Sequence, residues 1–297
     1  MTKVTEYGRA NIRQKEVDPG QRMSLRAIKA FAVDVDGTLL DSDHRLSVAA
    51  KEALCDLAAS NIRIVLATAR GPGVLGTVLR SLPISPLLIC FSGAWIGEID
   101  SESLTPTRTV LDRRHSLSVA RTILATALGL NVEPNVFTLD TWRARKMTTE
   151  IMLESQITEC HPVITSDLLE DGEEPSKILL ITGANESSQP LHVIADSVQS
   201  LSNAAFSKPN YLEIVPLGVN KAEALKQLAA ILGLDLSQFA AIGDGLNDIE
   251  MLKEAGLGIA MGNAPDAVKS VADWVTGTND EAGVAQAVQR LFKDGLI

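Results

Sequence analysis

The chain has 297 residues, 45% of them apolar, and its 37 acidic against 27 basic residues give a net charge of −10. A chain this long fills two domains more comfortably than one and can bury a sizeable core. The acidic balance argues against nucleic acid or an acidic membrane surface as the main partner, and no apolar run reaches the roughly 18–20 residues of a membrane span.

Residues 1–26 are polar, mildly basic and without periodicity, and read as a flexible or loosely docked tail. Glu6, Glu16 and Asp18 argue against a transit peptide. Cys55, Cys90 and Cys160 are odd in number and far apart, so they match neither a disulfide framework nor a metal-ligand spacing. That pattern points to a reducing, cytoplasmic setting.

From residue 30 strand and helix signals alternate. Ala30–Val33 is an apolar run that predicts a buried strand, and Ser47 is placed to cap a helix reaching Ala59. Ile62–Ala67 and Leu87–Phe91 are the next strands. Between about residues 97 and 213 the pattern changes. A helix over 116–128, strands over 136–139 and 178–182 and a helix over 190–201 predict a second, inserted α+β unit. Its acidic stretch Asp167–Glu174 reads as an exposed loop, and Trp142–Lys146 as a solvated basic strand edge with Trp142 packing between the units. Alternation then resumes: Lys221–Leu232 is a helix closed by Gly233, and Phe239–Ile242 and Leu257–Ala260 are strands. The expected fold is α/β, a parallel sheet covered on both sides, built from residues 27–96 and 214–297.

The polar clusters fall at the C-terminal ends of the predicted strands, the edge where open α/β sheets place ligands. Asp34-Val35-Asp36-Gly37-Thr38 follows the first strand. Two carboxylates at the end of a buried strand are costly without a proton or counterion. Asp34 is the candidate nucleophile and Asp36 the candidate acid/base. Thr68 ends the second strand with a hydroxyl that can donate to a phosphate oxygen, whereas Arg70 reads as part of a surface or inter-domain ion pair. Lys221 opens a helix, a poor place for a cation unless an anion sits beside it. It can neutralise Asp34 and an incoming phosphate. Gly243–Asp248 is the metal signal: Asp244 is a direct carboxylate ligand beside Asp34 and the Asp36 carbonyl, and Asp248 ligates directly or through water. Asn247 can orient Lys221 or phosphate. Carboxylates, one lysine, a phosphate and Mg²⁺ make the balanced charge set that in-line phosphoryl transfer requires.

These four elements, in this order, resemble the haloacid dehalogenase-like hydrolase superfamily. Leu212–Lys221 and Gly258–Ala264 are similar to its Cof-type, class IIB branch, and the insert matches that branch's cap by position and length. The resemblance implies a Rossmann-like core, Mg²⁺ dependence and hydrolysis of small phosphorylated metabolites such as sugar, nucleotide or cofactor phosphates. The chain departs from the branch at Ala69, where a glycine is usual, and at Ser92, where asparagine is usual. Both bear on substrate fit rather than on the chemistry. A phosphomutase or phosphotransferase on the same scaffold, and a non-catalytic phosphometabolite-binding protein, are the alternative readings.

Overall fold

The computed structural model describes residues 27–183 and 186–297, so the tail read over residues 1–26 lies outside the described residues. The chain enters through β1 (Ala30–Val33), buried along its whole length. Ser47 caps α1 (Val48–Ala59), its side chain accepting from the Ala50 amide. Then come β2 (Arg63–Ala67), α2 (Gly76–Ser81), β3 (Leu87–Cys90), β4 (Trp95–Ile99) and β5 (Pro106–Asp112). The next segment holds α3 (Leu117–Gly129), β6 (Pro134–Phe137), β7 (Trp142–Ala144), α4 (Thr149–Thr158) and β8 (Val163–Ile164). It ends with β9 (Lys177–Ile181), α5 (Gln189–Val198), β10 (Ser202–Lys208) and β11 (Tyr211–Pro216). The chain returns through α6 (Lys221–Leu232), β12 (Phe239–Gly243), α7 (Ile249–Glu254) and β13 (Leu257–Ala260). It closes with α8 (Asp266–Lys269), β14 (Trp274–Val275) and α9 (Gly283–Lys293).

Among the described residues the strands form two sheets, ordered β14-β13-β12-β1-β2-β3-β4-β5 and β10-β11-β9-β6-β7-β8. The larger is parallel from β14 to β3, and β4 and β5 add to it antiparallel. Successive side chains of β1 point to opposite faces. Phe31 and Val33 pack with α1 and α9 residues such as Leu54, Leu57 and Leu291, while Ala30 and Ala32 pack under Leu225 and Leu228 of α6. Both faces are therefore covered, and each buried leucine contributes about 1.5–3 kcal/mol. This is the α/β core that the alternation predicts. The smaller sheet is mostly antiparallel and carries α3 and α5 against Ile178, Leu180, Leu212 and Ile214.

Two expectations need correction. The sequence predicts the insert over 97–213, but β4 hydrogen-bonds to β3 (Ile89 opposite Ile96) and β5 to β4, so the crossing to the smaller sheet falls after Asp112. The return falls after Pro216, where β11 ends. An edge strand as polar and exposed as β5 leaves little periodic signal in the sequence. The basic stretch at 142–146 is not a solvated edge at its start: Trp142, Arg143 and Ala144 are buried in β7, between β6 and β8. Arg143 lies 3.4 Å from Glu173, which offsets its charge. The 167–174 loop is exposed as expected at Asp167 and Glu170, but Leu168 and Leu169 turn inward beneath α3.

Candidate active site

Strand order brings β12, β1, β2 and β3 side by side. Asp244, Asp34, Thr68 and Ser92 follow these strands, so they gather at one edge although they span more than two hundred positions. A cleft of about 250 Å³ opens there, floored by Asp34, Asp36, Arg70 and Asp244 and roofed by Phe137, Trp142, Glu154, Lys177 and Tyr211 of the smaller unit.

Asp34 leaves β1 with its amide on the Ile242 carbonyl at 3.0 Å, which ties it to β12. The residue is 6% exposed. Lys221 Nζ donates to Asp34 Oδ1 at 2.5 Å and to Asp248 Oδ1 at 2.7 Å. Asp248 is fully buried, and its Oδ2 accepts from the amides of Asp244 (3.1 Å) and Gly245 (2.9 Å). Lys221 thus sits at a helix start because two carboxylates compensate the dipole there. Burial pulls the ammonium's pKa down, but Asp248 and Asp34 outweigh it and hold it above the ordinary lysine value.

Gly37 explains the tightness of the turn. Its φ is +78°, and a Cβ there would come within 2.5 Å of Asp244 Oδ2. Thr38 donates to Asp244 Oδ1 at 2.8 Å, and Asn263 Nδ2 reaches Gly37 O at 2.8 Å and Asp244 Oδ2 at 3.3 Å. The turn that carries Asp244 is therefore bolted to the turn that carries Asp36.

Oxygens of Asp34, Asp244 and Asp248 all lie within 4.8 Å of one another. Three carboxylates face one ammonium, leaving two negative charges in a buried place. Burial, with Asp248 and Asp244 adding to it against Lys221, holds the Asp34 carboxyl well above the usual carboxylate range. Burial and Asp248 push Asp244 up to about 6. Such a surplus calls for a divalent cation, and an all-oxygen donor set suits Mg²⁺.

Asp36 differs. Arg70 grips it with two bonds, Nε to Oδ2 at 2.8 Å and Nη2 to Oδ1 at 2.5 Å, and His44 Nδ1 lies 3.8 Å from Oδ1. Burial works to raise the carboxyl's pKa, but His44 and the guanidinium prevail and hold it well below the usual range. The ion pair foreseen for Arg70 exists, but inside the core cleft on Asp36 rather than at the surface or between units. Its chain position alone, two residues past Thr68, could not show this.

Thr68 is fully buried beneath the cleft floor. Its Oγ1 accepts from the Arg70 amide at 3.0 Å, which leaves its proton free to donate. Asn247 lines the cleft, but among the described residues no hydrogen bond joins it to Lys221. Ala69 adopts no left-handed backbone, so its methyl brings no strain. Its carbonyl accepts from Lys177 Nζ at 2.8 Å, a bond that links the smaller sheet to the Thr68 loop. Ser92 has φ +54°, and its buried hydroxyl has no hydrogen-bond partner among the described residues. Phe137, stacked on Trp142 at 5.3 Å between centroids, meets Phe91 of the core at 6.5 Å.

Sequence reasoning gave no role to His44, Asn263, Lys177, Glu154 or Tyr211. For Lys177 a signal existed: a lysine heading the apolar run Ile178–Ile181, the same feature that marks Lys221.

The arrangement matches known proteins. A family model described as haloacid dehalogenase-like hydrolase matches residues 31–288. A 5-amino-6-(5-phospho-D-ribitylamino)uracil phosphatase, YcsE of Bacillus subtilis, is 30% identical over 88% of this chain and 95% of its own. The phosphatase YwpJ of the same organism is 30% identical over 89% of this chain and 100% of its own. A solved haloacid dehalogenase-like hydrolase from B. subtilis superposes with a TM-score of 0.80 at 28% identity, over 89% of this chain and 100% of its own. The chain belongs to the haloacid dehalogenase-like hydrolase family, in its Cof-type branch, and is a phosphatase. The smaller unit is its cap.

Proposed function

We propose that the protein is a Mg²⁺-dependent phosphomonoester hydrolase that acts on small phosphorylated metabolites through a phosphoryl-Asp34 intermediate. The observation that carries this reading is the buried charge surplus: Asp34, Asp244 and Asp248 against Lys221 alone. Asp34, Asp244 and the Asp36 carbonyl would hold the ion, with Asp248 contributing directly or through a water. Bound there, Mg²⁺ supplies charge neutralisation for an incoming phosphate.

Lys221 fixes Asp34 Oδ1, so the other oxygen, Oδ2, is the one left to attack phosphorus. The new bond is Asp34 Oδ2–P, and the bond that breaks is P–O to the leaving group. Thr68 and Asn247 donate to the transferring phosphoryl oxygens, joined by Lys221. The leaving oxygen needs a proton, and Asp36 is the group in position to give it. Gripped by Arg70, Asp36 is held as a carboxylate, so the acid step requires the guanidinium to swing toward the substrate's phosphate. The proton affinity of Asp36 then rises, and it takes up a proton from solvent, which it passes to the leaving oxygen as the P–O bond breaks. In the second half-reaction the carboxylate takes a proton from the water that hydrolyses the aspartyl-phosphate. The cap residues over the cleft limit access of bulk water to that intermediate.

The test is phosphate release from a panel of phosphorylated sugars, nucleotides and cofactors, with Mg²⁺ and with EDTA, for the wild type and Asp34→Asn. The expected result is metal-dependent release that falls below about a thousandth in the variant, a loss of about 4 kcal/mol of transition-state stabilisation. Release unaffected by EDTA, or retained in Asp34→Asn, would overturn the reading. Phosphoryl transfer to a second metabolite without net phosphate release would make the enzyme a mutase or phosphotransferase.

A further inference from the structure

The roof of the cleft carries a carboxylate that forms no ion pair among the described residues. Lys177 is committed: its ammonium lies 2.9 Å from Glu213 Oε2 and bonds the Ala69 carbonyl. Glu213 is committed too, its Oε1 accepting from Ser207 Oγ at 3.0 Å. Glu154, on α4, lines the same cleft and makes no ion pair among the described residues. Lys208 stands over the Tyr211 ring, 4.8 Å from its centroid, and not on Glu154. Burial raises the Glu154 carboxyl's pKa, with Lys177 and Lys208 opposing and Glu213 and Asp36 adding to the rise, and Glu154 lines the same cleft as Asp36 and Arg70. Its neighbour Tyr211 has its phenol pushed up, first by burial and then by the Glu154 carboxylate. A half-buried carboxylate without a cation is unfavourable. Here the open side of that carboxylate faces the space where a leaving group must lie.

Resting on the phosphatase reading, we propose that Glu154 is a specificity-determining residue: it accepts hydrogen bonds from hydroxyl or ammonium donors on the leaving group and rejects leaving groups that carry a second anion. The chemistry is that of a carboxylate in low dielectric. A neutral donor satisfies it, whereas a carboxylate or phosphate placed against it meets like charge with no water to screen the repulsion. The Tyr211 hydroxyl donates to Glu154 and fixes one side of the carboxylate, and the phenol oxygen can still accept from the same ligand. Lys208, exposed at the rim, and Lys177, bonded to Glu213, act on Glu154 electrostatically, but neither forms an ion pair with it.

The experiment measures competition against p-nitrophenyl phosphate turnover by two matched pairs: glycerol 3-phosphate with 3-phosphoglycerate, and sorbitol 6-phosphate with 6-phosphogluconate. Each pair differs by one carboxylate. The wild type is expected to bind the neutral member at least tenfold more tightly in at least one pair. Glu154→Gln and Glu154→Ala, both at a partly exposed position, are expected to shrink that ratio at least fivefold with the melting temperature kept. A wild-type ratio under twofold in both pairs, or a ratio unchanged in both variants, would overturn the assignment while leaving the phosphatase reading intact. Absence of metal-dependent p-nitrophenyl phosphate turnover would instead sink the phosphatase reading, and this assignment with it.

Discussion

At the scale of single residues, Gly37 shows how little room the site leaves. Its left-handed φ of +78° disfavours any side chain, and the 2.5 Å approach of a Cβ to Asp244 Oδ2 forbids even a methyl without movement. Gly37→Ala is therefore expected to displace Asp244 rather than simply strain the turn. The fold should lose about 1–2 kcal/mol for the left-handed alanine. The activity should lose far more, about a hundredfold or about 3 kcal/mol in kcat/KM, because the carboxylate proposed to hold the ion has moved. Denaturant unfolding and kinetics on the same sample separate the two effects. A variant with near-wild-type activity at saturating Mg²⁺ would mean that Asp244 tolerates the shift. The aspartates, Thr68 and Lys221 were legible because each is a polar residue where an apolar run meets a turn. Arg70 was not: its partner Asp36 lies 34 positions away, and only the pairing of β1 with β2 brings them together.

At the scale of elements, α6 is the part that aims Lys221. Its N-cap Asn220 accepts from the Glu223 amide at 2.8 Å, and Gly233 closes the far end in the left-handed conformation. Both signals stand in the sequence, and the helix bounds agree with them. Asn220→Ala removes the cap and should cost about 1 kcal/mol of stability, a fall of about 2–4 °C in melting temperature for a protein of this size. A decrease in kcat alongside it would show that the first turn positions the ammonium. The cap sheet was far less legible. β8, β10 and β11 leave little periodic signal as strands: β8 has only two residues, β10 mixes exposed and buried positions, and the buried β11 is interrupted by Glu213 and ended by Pro216. β10 reads Ser-Asn-Ala-Ala-Phe-Ser-Lys and is half-exposed along most of its length. β9 is legible through its unbroken apolar run after Lys177, and β6 through Val136 and Phe137.

Between elements, Lys177 of β9 joins cap to core. It is 6% exposed beside Glu213 at 8%. Lys177→Met leaves that carboxylate buried and unpaired, at an expected cost of about 3 kcal/mol. Adding Glu213→Gln should recover much of the stability, since both charges are then gone, but not the bond to the Ala69 carbonyl. The double variant is thus expected to be stable and still impaired in kcat/KM. Full recovery of activity in the double variant would show that the anchor on the Thr68 loop is dispensable.

At the scale of the whole molecule, the two crossings between core and cap are tied at His115. The residue follows β5, is 2% exposed, and its Nε2 lies 3.3 Å from the Ile214 carbonyl in β11. Its own amide bonds the Pro175 carbonyl at 2.8 Å, so the first crossing is fastened to two parts of the cap. Burial lowers the imidazole to a pKa of about 4, the Ile214 carbonyl opposing only in part. In the unfolded chain the same group titrates near 6.5. Between these values the unfolded chain binds the proton and the folded one does not, so stability falls as pH falls. The contribution is complete above about pH 6.5 and is lost progressively toward pH 4. At pH 4.5 the loss amounts to about 2–3 kcal/mol. His115→Gln keeps a polar side chain but takes up no proton. The advantage of the wild type over this variant should therefore shrink by that amount between pH 7 and pH 4.5, whatever the carboxylates common to both contribute. Urea unfolding at the two pH values, with EDTA present to remove metal effects, measures it. A difference that stays constant with pH would mean that His115 accepts its proton without opening the crossing, and that the tie between core and cap survives acid.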